Sequence, residues 1–236
     1  IGSHGAMAFD LNAACTGFVY GLDMAYGILA AKPGAKVLLV GSEAFTRRLN
    51  WEDRTTCILF GDGAAAAVLT NGEAGAPKRC LPSAPRLRDV RCGADGRQYP
   101  LLTVGGGTSR NYKPGDPIQN DFYLQMQGRE VFKQAVRSLS TVCSELLEGN
   151  GLTLEDIDLF IPHQANLRII EAVGDRLKLG SEKIFVNLDE YGNTSAASIP
   201  LGIGDACAQG RIRPGSRVLL SAFGGGFTWG AALLEF

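Results

Sequence analysis

Two stretches of the chain, 181 residues apart, read almost alike: KPGAKVLLVG at 32–41 and RPGSRVLLSA at 213–222. The same offset, without a gap, sets Asn12 on Asn193 and Cys15 on Ala196. Dropping about fourteen residues then brings GAAAAVL at 63–69 onto GAALLEF at 230–236. A unit of turn, helix, strand and strand is therefore written twice. A repeat constrains a fold more tightly than any single motif, because both copies must build the same local structure. The copies differ where chemistry would differ: one carries a cysteine at its helix start, the other an asparagine.

The intervening pattern fits an α/β protein. Residues 13–31 place Phe18, Leu22, Ala25, Ile28 and Leu29 at helical spacing, and KPG at 32–34 stops the helix. KVLLVGS at 36–42 predicts a short buried strand, and TCILFGDGAAAAVLT at 56–70 predicts two apolar runs around a Gly-Asp-Gly turn. Residues 71–120 lack strong periodicity and are rich in Gly, Pro and Arg, so they are expected to be long surface loops with a functional role. A long amphipathic helix starts at 128 and stops at GNG. Beyond it come a strand at 157–162, a helix at 165–178, a strand at 184–188, a helix at 195–209 and strands at 217–223 and 228–236. Continuous apolar strands alternating with helices predict a sheet covered on both faces. The second copy is preceded by a helix, a strand and a helix, whereas the first opens almost at its turn. The expectation is a chain lacking its N-terminal part.

Composition narrows the function classes. The net charge of −1 gives no basic field for nucleic acid. No apolar run is expected to span a bilayer and no signal-peptide pattern opens the chain, so the cytoplasm is the expected compartment. Six cysteines (Cys15, Cys57, Cys80, Cys92, Cys143 and Cys207) include no C-x-x-C pair, and the two histidines are His4 and His163. Zinc-ligand spacing is absent, and a reduced interior is expected rather than a disulfide framework.

Four places can carry chemistry. Cys15 sits at a helix start, where unpaired backbone N–H groups and the helix dipole would favour thiolate; the bland alternative is a small buried residue in AACTG. His163 follows an apolar strand in IPHQAN, at the strand end where sites in open α/β sheets gather; a surface or capping histidine is the alternative. Asn193, in GNTSAAS, is either an ordinary N-cap or, through the repeat, a neighbour of Cys15. Three consecutive glycines in FGGGFTWGA offer close backbone approach and an oxyanion-binding N–H, or simply a β-turn.

AACTGF, FGDGAAAAVL, GREVFKQAV, PHQANLRII, GNTSAAS and FGGGFTWGAALLEF, in this order, resemble the motifs of β-ketoacyl-acyl carrier protein synthase III, the initiating condensing enzyme of fatty acid synthesis. The resemblance runs the length of the chain and lacks the family's N-terminal part. It implies the thiolase fold: two duplicated α/β halves in a five-layer αβαβα sandwich, here as 1–120, the remainder of the N-terminal half with connecting loops, and 121–236, the C-terminal half. Elongating synthases use two histidines after the cysteine, but His4 precedes Cys15. Thiolases need a second cysteine near the C-terminal glycines, and 223–236 has none.

The resemblance implies that Cys15, His163 and Asn193 are catalytic. Cys15 would take an acyl group from an acyl-CoA primer, with acetyl-CoA expected. His163 and Asn193 would stabilise the enolate formed when malonyl-acyl carrier protein loses CO2. Gly225 would serve the oxyanion hole, and Phe223 the decarboxylation step. Arg54 matches a CoA-nucleotide contact, Phe45 and Phe60 an acyl-pocket wall, and Asn166 the pantetheine arm. Lys133, Arg168 and Arg176 match carrier-protein docking positions, with Asp175 in place of a lysine common there. The implied partners are acyl-CoA, acyl carrier protein and a second copy in a homodimer, with no metal or redox cofactor. The compartment would be the cytoplasm, or the stroma if the source is a plastid. An acyltransferase or ester-forming relative on the same fold, and a truncated non-catalytic acyl-CoA or carrier-protein binder, are the alternatives.

Overall fold

The computed structural model describes residues 2–72, 81–106, 113 and 115–236. Cys80 lies outside them. In chain order, a 3-10 turn Ala14–Thr16 leads into α1 (Gly17–Ala31), β1 (Lys36–Glu43), β2 (Gly63–Thr70), β3 (Arg86–Ala94), β4 (Leu102–Val104) and β5 (Leu124–Met126). Then follow α2 (Gly128–Gly149), β6 (Leu159–Pro162), α3 (Leu167–Leu177), the short α4 (Leu188–Tyr191), a 3-10 turn Ser195–Ala197, α5 (Ser198–Ala208), β7 (Arg217–Gly224) and β8 (Thr228–Glu235).

The main sheet has the order β3-β8-β7-β6, with β6 and β7 parallel and the other pairs antiparallel. Period-2 alternation divides its side chains between two cores. Leu219, Phe223, Ala231 and Leu233 face α2 and α3, where Val131, Ala135, Leu139, Val142, Cys143 and Leu146 line the inner stripe of α2. Val218, Leu220, Ala222, Ala232 and Leu234 face the other way, onto Phe18, Val19 and Leu22 of α1 and Ile199 and Ala206 of α5. The sheet is covered on both faces, as its apolar strands predict. Beyond α1 and α5 lies a second, two-stranded sheet of β1 and β2, whose Leu39, Ala67 and Leu69 pack onto the same core. The described residues thus stack as helices, sheet, helices, sheet.

Several sequence expectations need correction. β1 is not buried: it alternates, and Leu38 and Val40 on β1 with Val68 on β2 are exposed on the sheet's outer face. The segment 184–188 forms only a single bridge, Ile184 to Phe160, before turning into α4. The run before Gly61 is a turn with one bridge, Phe60 to Asn193, rather than a strand. The stretch 71–120 contains β3, an edge strand of the main sheet, and β4. The stretch Ala14–Ala31 has the length and composition of a membrane span, contrary to expectation; in this fold it is a core helix between two sheets.

The repeat is visible as backbone. Ala14 and Ser195, 181 residues apart, both take left-handed φ, 47° and 50°. Asn12 Oδ1 accepts the N–H of Ala14 at 3.2 Å, and Asn193 Oδ1 accepts that of Ser195 at 2.9 Å. β1 pairs with β2 as Lys36 with Thr70, and β7 with β8 as Arg217 with Glu235. The first strands keep the 181-residue offset. The second strands sit 165 apart (Thr70 to Glu235), so sixteen residues are dropped, two more than the sequence alignment placed there.

Candidate active site

The two 3-10 turns touch, and the Cys15 turn also packs against β7 and β8. A side chain at Gly224 would not fit: a Cβ there would stand 2.8 Å from the Cys15 backbone nitrogen. The turn is tied down by hydroxyls. Thr228 Oγ1 donates to the Ala13 carbonyl at 3.0 Å, and Thr16 Oγ1 donates to the Thr228 carbonyl at 3.2 Å. On the other side, Glu43 Oε1 accepts the Ala196 N–H at 3.3 Å, linking the end of β1 to the turn of the second copy.

His163 leaves the end of β6, where its N–H donates to the Ser221 carbonyl of β7 at 2.7 Å. The next residue clamps this exit. Gln164, buried, donates from Nε2 to the carbonyls of Pro162 (2.8 Å) and Phe185 (3.2 Å), and its Oε1 accepts the Asn187 N–H at 3.1 Å. Every polar atom of that amide is used, so the loop carrying His163 has little freedom. The imidazole itself is buried, with Nδ1 2.6 Å from Ser198 Oγ. Asn193 is fixed by its backbone to the 59–61 turn, its N–H on the Leu59 carbonyl at 2.8 Å and its carbonyl on the Gly61 N–H at 3.0 Å. Because its Oδ1 is committed to Ser195, its amide NH2 is the end left for a ligand.

Cys15, His163 and Asn193, from three distant segments, line one cavity of about 230 Å³. Phe45, Phe60, Asn166, Phe223 and Gly225 also line it. The Phe45 and Phe60 rings stack at 5.0 Å, and Phe223 lies against Phe227 at 4.7 Å. The rest of the wall is mostly apolar, from the antiparallel pair β4 and β5 and the inner face of α2. Sequence reasoning missed this strand pair, as well as Gln164, Ser198 and Glu43. Arg54 is exposed in the 51–59 turn and does not line the cavity. Lys133, Arg168 and Arg176 are exposed on α2 and α3, which pack together; Lys133 pairs with Glu130 at 2.9 Å. His4 is exposed and does not line the cavity.

Electrostatics correct one expectation. Burial pushes the Cys15 thiol up to about 11, against the depression expected at a helix start. The Ser195 hydroxyl and the residue's own N–H work in the other direction, and the Glu43 carboxylate adds to the rise. Desolvation outweighs the helix terminus because the thiol is almost completely removed from water. The same burial lowers His163 to about 4, so its imidazole is neutral at physiological pH. Among the described residues, no group of three or more His, Cys, Asp or Glu side chains is placed to hold a metal ion.

Comparison with known proteins identifies the family and the fold. The family model for 3-oxoacyl-[acyl-carrier-protein] synthase III matches residues 9–84, and the model for the C-terminal part of that synthase matches residues 147–236. A β-ketoacyl-[acyl-carrier-protein] synthase III of Nitratidesulfovibrio vulgaris (strain Miyazaki F) is 61% identical over the whole chain, which spans 69% of that protein. The chain belongs to the β-ketoacyl-[acyl-carrier-protein] synthase III family. Two solved members superpose on it. The 3-oxoacyl-[acyl-carrier-protein] synthase III of Aquifex aeolicus VF5 is 42% identical with a TM-score of 0.85, covering 98% of this chain and 68% of that one. The synthase III of Thermus thermophilus is 45% identical with a TM-score of 0.84, covering 97% and 67%. The mixed α/β architecture is the family's thiolase fold.

Proposed function

We propose that this chain carries out the reaction of its family, a decarboxylative Claisen condensation that joins an acyl-CoA primer to malonyl-acyl carrier protein. The observation that supports it is the shared cavity. One sulfur, one neutral imidazole and one carboxamide NH2 meet there, beside a glycine-rich turn and within apolar walls.

In the first half-reaction, Cys15 Sγ attacks the thioester carbonyl of the primer, with acetyl-CoA the expected one. The tetrahedral oxyanion is held by the N–H groups of Cys15 and Gly225. The C–S bond to coenzyme A breaks, and the thiol proton leaves with the CoA thiolate. In the second, malonyl-acyl carrier protein loses CO2. The electron pair of the broken C–C bond moves into the thioester, giving an enolate. His163 and Asn193 donate hydrogen bonds to that oxygen, while Phe223 covers the departing carboxylate. The enolate carbon attacks the acyl carbon on Cys15, the C–S bond breaks with its electron pair on sulfur, and the thiolate takes up a proton from solvent to restore the thiol.

Phe45 and Phe60 close the acyl end of the cavity, favouring a short primer, and Asn166 lies along the pantetheine arm. Arg54 contacts the CoA nucleotide. Lys133, Arg168 and Arg176 form the docking face for the acidic carrier protein. The protein acts in the cytoplasm as a homodimer and uses no metal or redox cofactor. The halves 1–120 and 121–236 each contribute one copy of the repeated unit to the cavity.

Sequential labelling tests this reading. Incubation of the full-length protein with labelled acetyl-CoA places label on Cys15, and malonyl-carrier protein then moves it into acetoacetyl product. Label on the thiol without product would support an acyl-transferring relative instead, and no label would support a binding protein.

A further inference from the structure

The proposed condensation needs an N–H, not a lone pair, on the imidazole nitrogen that faces the cavity. A neutral imidazole has one proton and two places for it, so a neighbour must choose. Ser198, the first residue of α5, is the only described side chain in hydrogen-bond contact with the His163 ring. Its hydroxyl has two described contacts: His163 Nδ1 at 2.6 Å and the backbone N–H of Gln164 at 3.4 Å. The second is a donor, so it occupies a lone pair of the serine oxygen. The hydroxyl proton therefore has one acceptor within reach, Nδ1. The opposite arrangement, Nδ1–H donating to Ser198, would leave that hydroxyl proton buried without an acceptor.

We infer that Ser198 is a positioning residue for His163: its hydroxyl donates to Nδ1 and so fixes the imidazole proton on Nε2, the nitrogen left to the cavity. The inference rests on the condensing reading for its consequence, and on geometry for the tautomer. The repeat explains why the serine is available. Ser198 corresponds to Gly17 in the first copy, which has no hydroxyl and packs so that a Cβ would lie 3.3 Å from the Ala196 Cβ. One copy thus presents a bare helix start behind the nucleophile, and the other presents a hydroxyl behind the histidine.

Nitrogen-15 NMR of the full-length protein labelled at histidine tests this, with the His163 resonances assigned by their loss in His163→Gln. The wild type is expected to show the neutral Nε2–H tautomer at pH 7. Ser198→Ala is expected to shift population toward Nδ1–H and to slow condensation about tenfold, with the KM for malonyl-carrier protein and the rate of Cys15 acylation little changed. Ser198→Thr, which keeps the hydroxyl, is expected to restore both tautomer and rate. A wild-type spectrum showing Nδ1–H overturns the inference, whether or not Ser198→Ala folds. So does a Ser198→Ala protein that keeps the Nε2–H tautomer, whatever its rate. Absence of condensation by the wild type would instead count against the condensing reading, while the spectrum would still report the tautomer.

Discussion

The unit that begins at Asn12 and the unit that begins at Asn193 share a backbone down to single torsions. Each opens with an asparagine whose side chain accepts the N–H two residues on, each turns through a left-handed residue, and each runs through a 3-10 turn into a helix. The side chains then diverge. Where the first has Cys15, the second has Ala196; where the second ends its strand on Gly224, the first ends on Glu43. The divergence is reciprocal. Glu43 reaches across to the Ala196 N–H, while Gly224 stays bare so that β7 can lie against the Cys15 nitrogen. Duplication supplied two helix starts facing one another. One carries the thiol of Cys15; the other carries the carboxamide of Asn193 and, through Ser198, the hydroxyl beside His163.

If the copies are specialised in this way, making them alike should be costly. Cys15→Ala, which gives the first copy the residue of the second, is expected to fold normally and to lose acyl labelling and turnover to background. Adding Ala196→Cys should not rescue it, because Ala196 does not line the cavity. Recovery of acyl transfer in the double variant, followed by mass spectrometry, would break the comparison.

Gly224→Ala probes the reciprocal position. The new Cβ forces the Cys15 turn aside, and overpacking of this kind costs about 1–3 kcal/mol. Acylation is expected to slow about tenfold or more, measured as the burst rate with acetyl-CoA. A wild-type burst would mean that the turn does not need its close contact with β7.

Two titrations sharpen the contrast further. Because the free thiol is held near 11, alkylation of Cys15 by a small neutral electrophile should climb about tenfold per pH unit through pH 9. Glu43→Gln removes a neighbouring negative charge and should move that curve to lower pH. A plateau near pH 7 in the wild type would contradict the dominance of burial. His163 titrates the other way. Its folded value, about 4, lies below its ordinary 6.5, so the unfolded chain takes up the proton first as pH falls. Stability should therefore be lost between about pH 6.5 and 4, by about 3 kcal/mol at most. Urea unfolding of the wild type at pH 7 and pH 4.5 should show this loss, and His163→Gln should show less of it.

Much of this arrangement is legible in the chain itself. The 181-residue offset predicts the paired turns, and periodicity predicts α1, α2, α3 and α5 to within a few residues. Cys15, His163 and Asn193 stand out because each sits where a strand or turn delivers a helix. Other features are hidden for physical reasons. β3 is an edge strand whose Arg88 and Asp89 interrupt the apolar alternation; its pairing is set by tertiary partners, with Arg88 on Glu235 at 2.6 Å and on Asn150. The 57–60 run is apolar because it walls the cavity through Leu59 and Phe60, not because it is a strand. The thiol's raised pKa depends on how much structure covers it, which no local pattern records. Ser198 and Gln164 act through distances of a few ångströms to residues far away or newly turned, and a serine or glutamine in a polar motif gives no such signal.

The proposed convergence of Cys15, His163 and Asn193 on one thioester is tested most directly by following the two half-reactions separately in Asn193→Ala, with Asn12→Ala as its counterpart in the other copy. Both variants lose the turn-stabilising hydrogen bond at the corresponding position, worth about 1 kcal/mol, exposed at Asn12 and buried at Asn193. Asn193→Ala is expected to form acyl-Cys15 near the wild-type rate while decarboxylation of malonyl-carrier protein falls at least about 100-fold, and Asn12→Ala is expected to retain decarboxylation. Wild-type decarboxylation by Asn193→Ala would contradict the account.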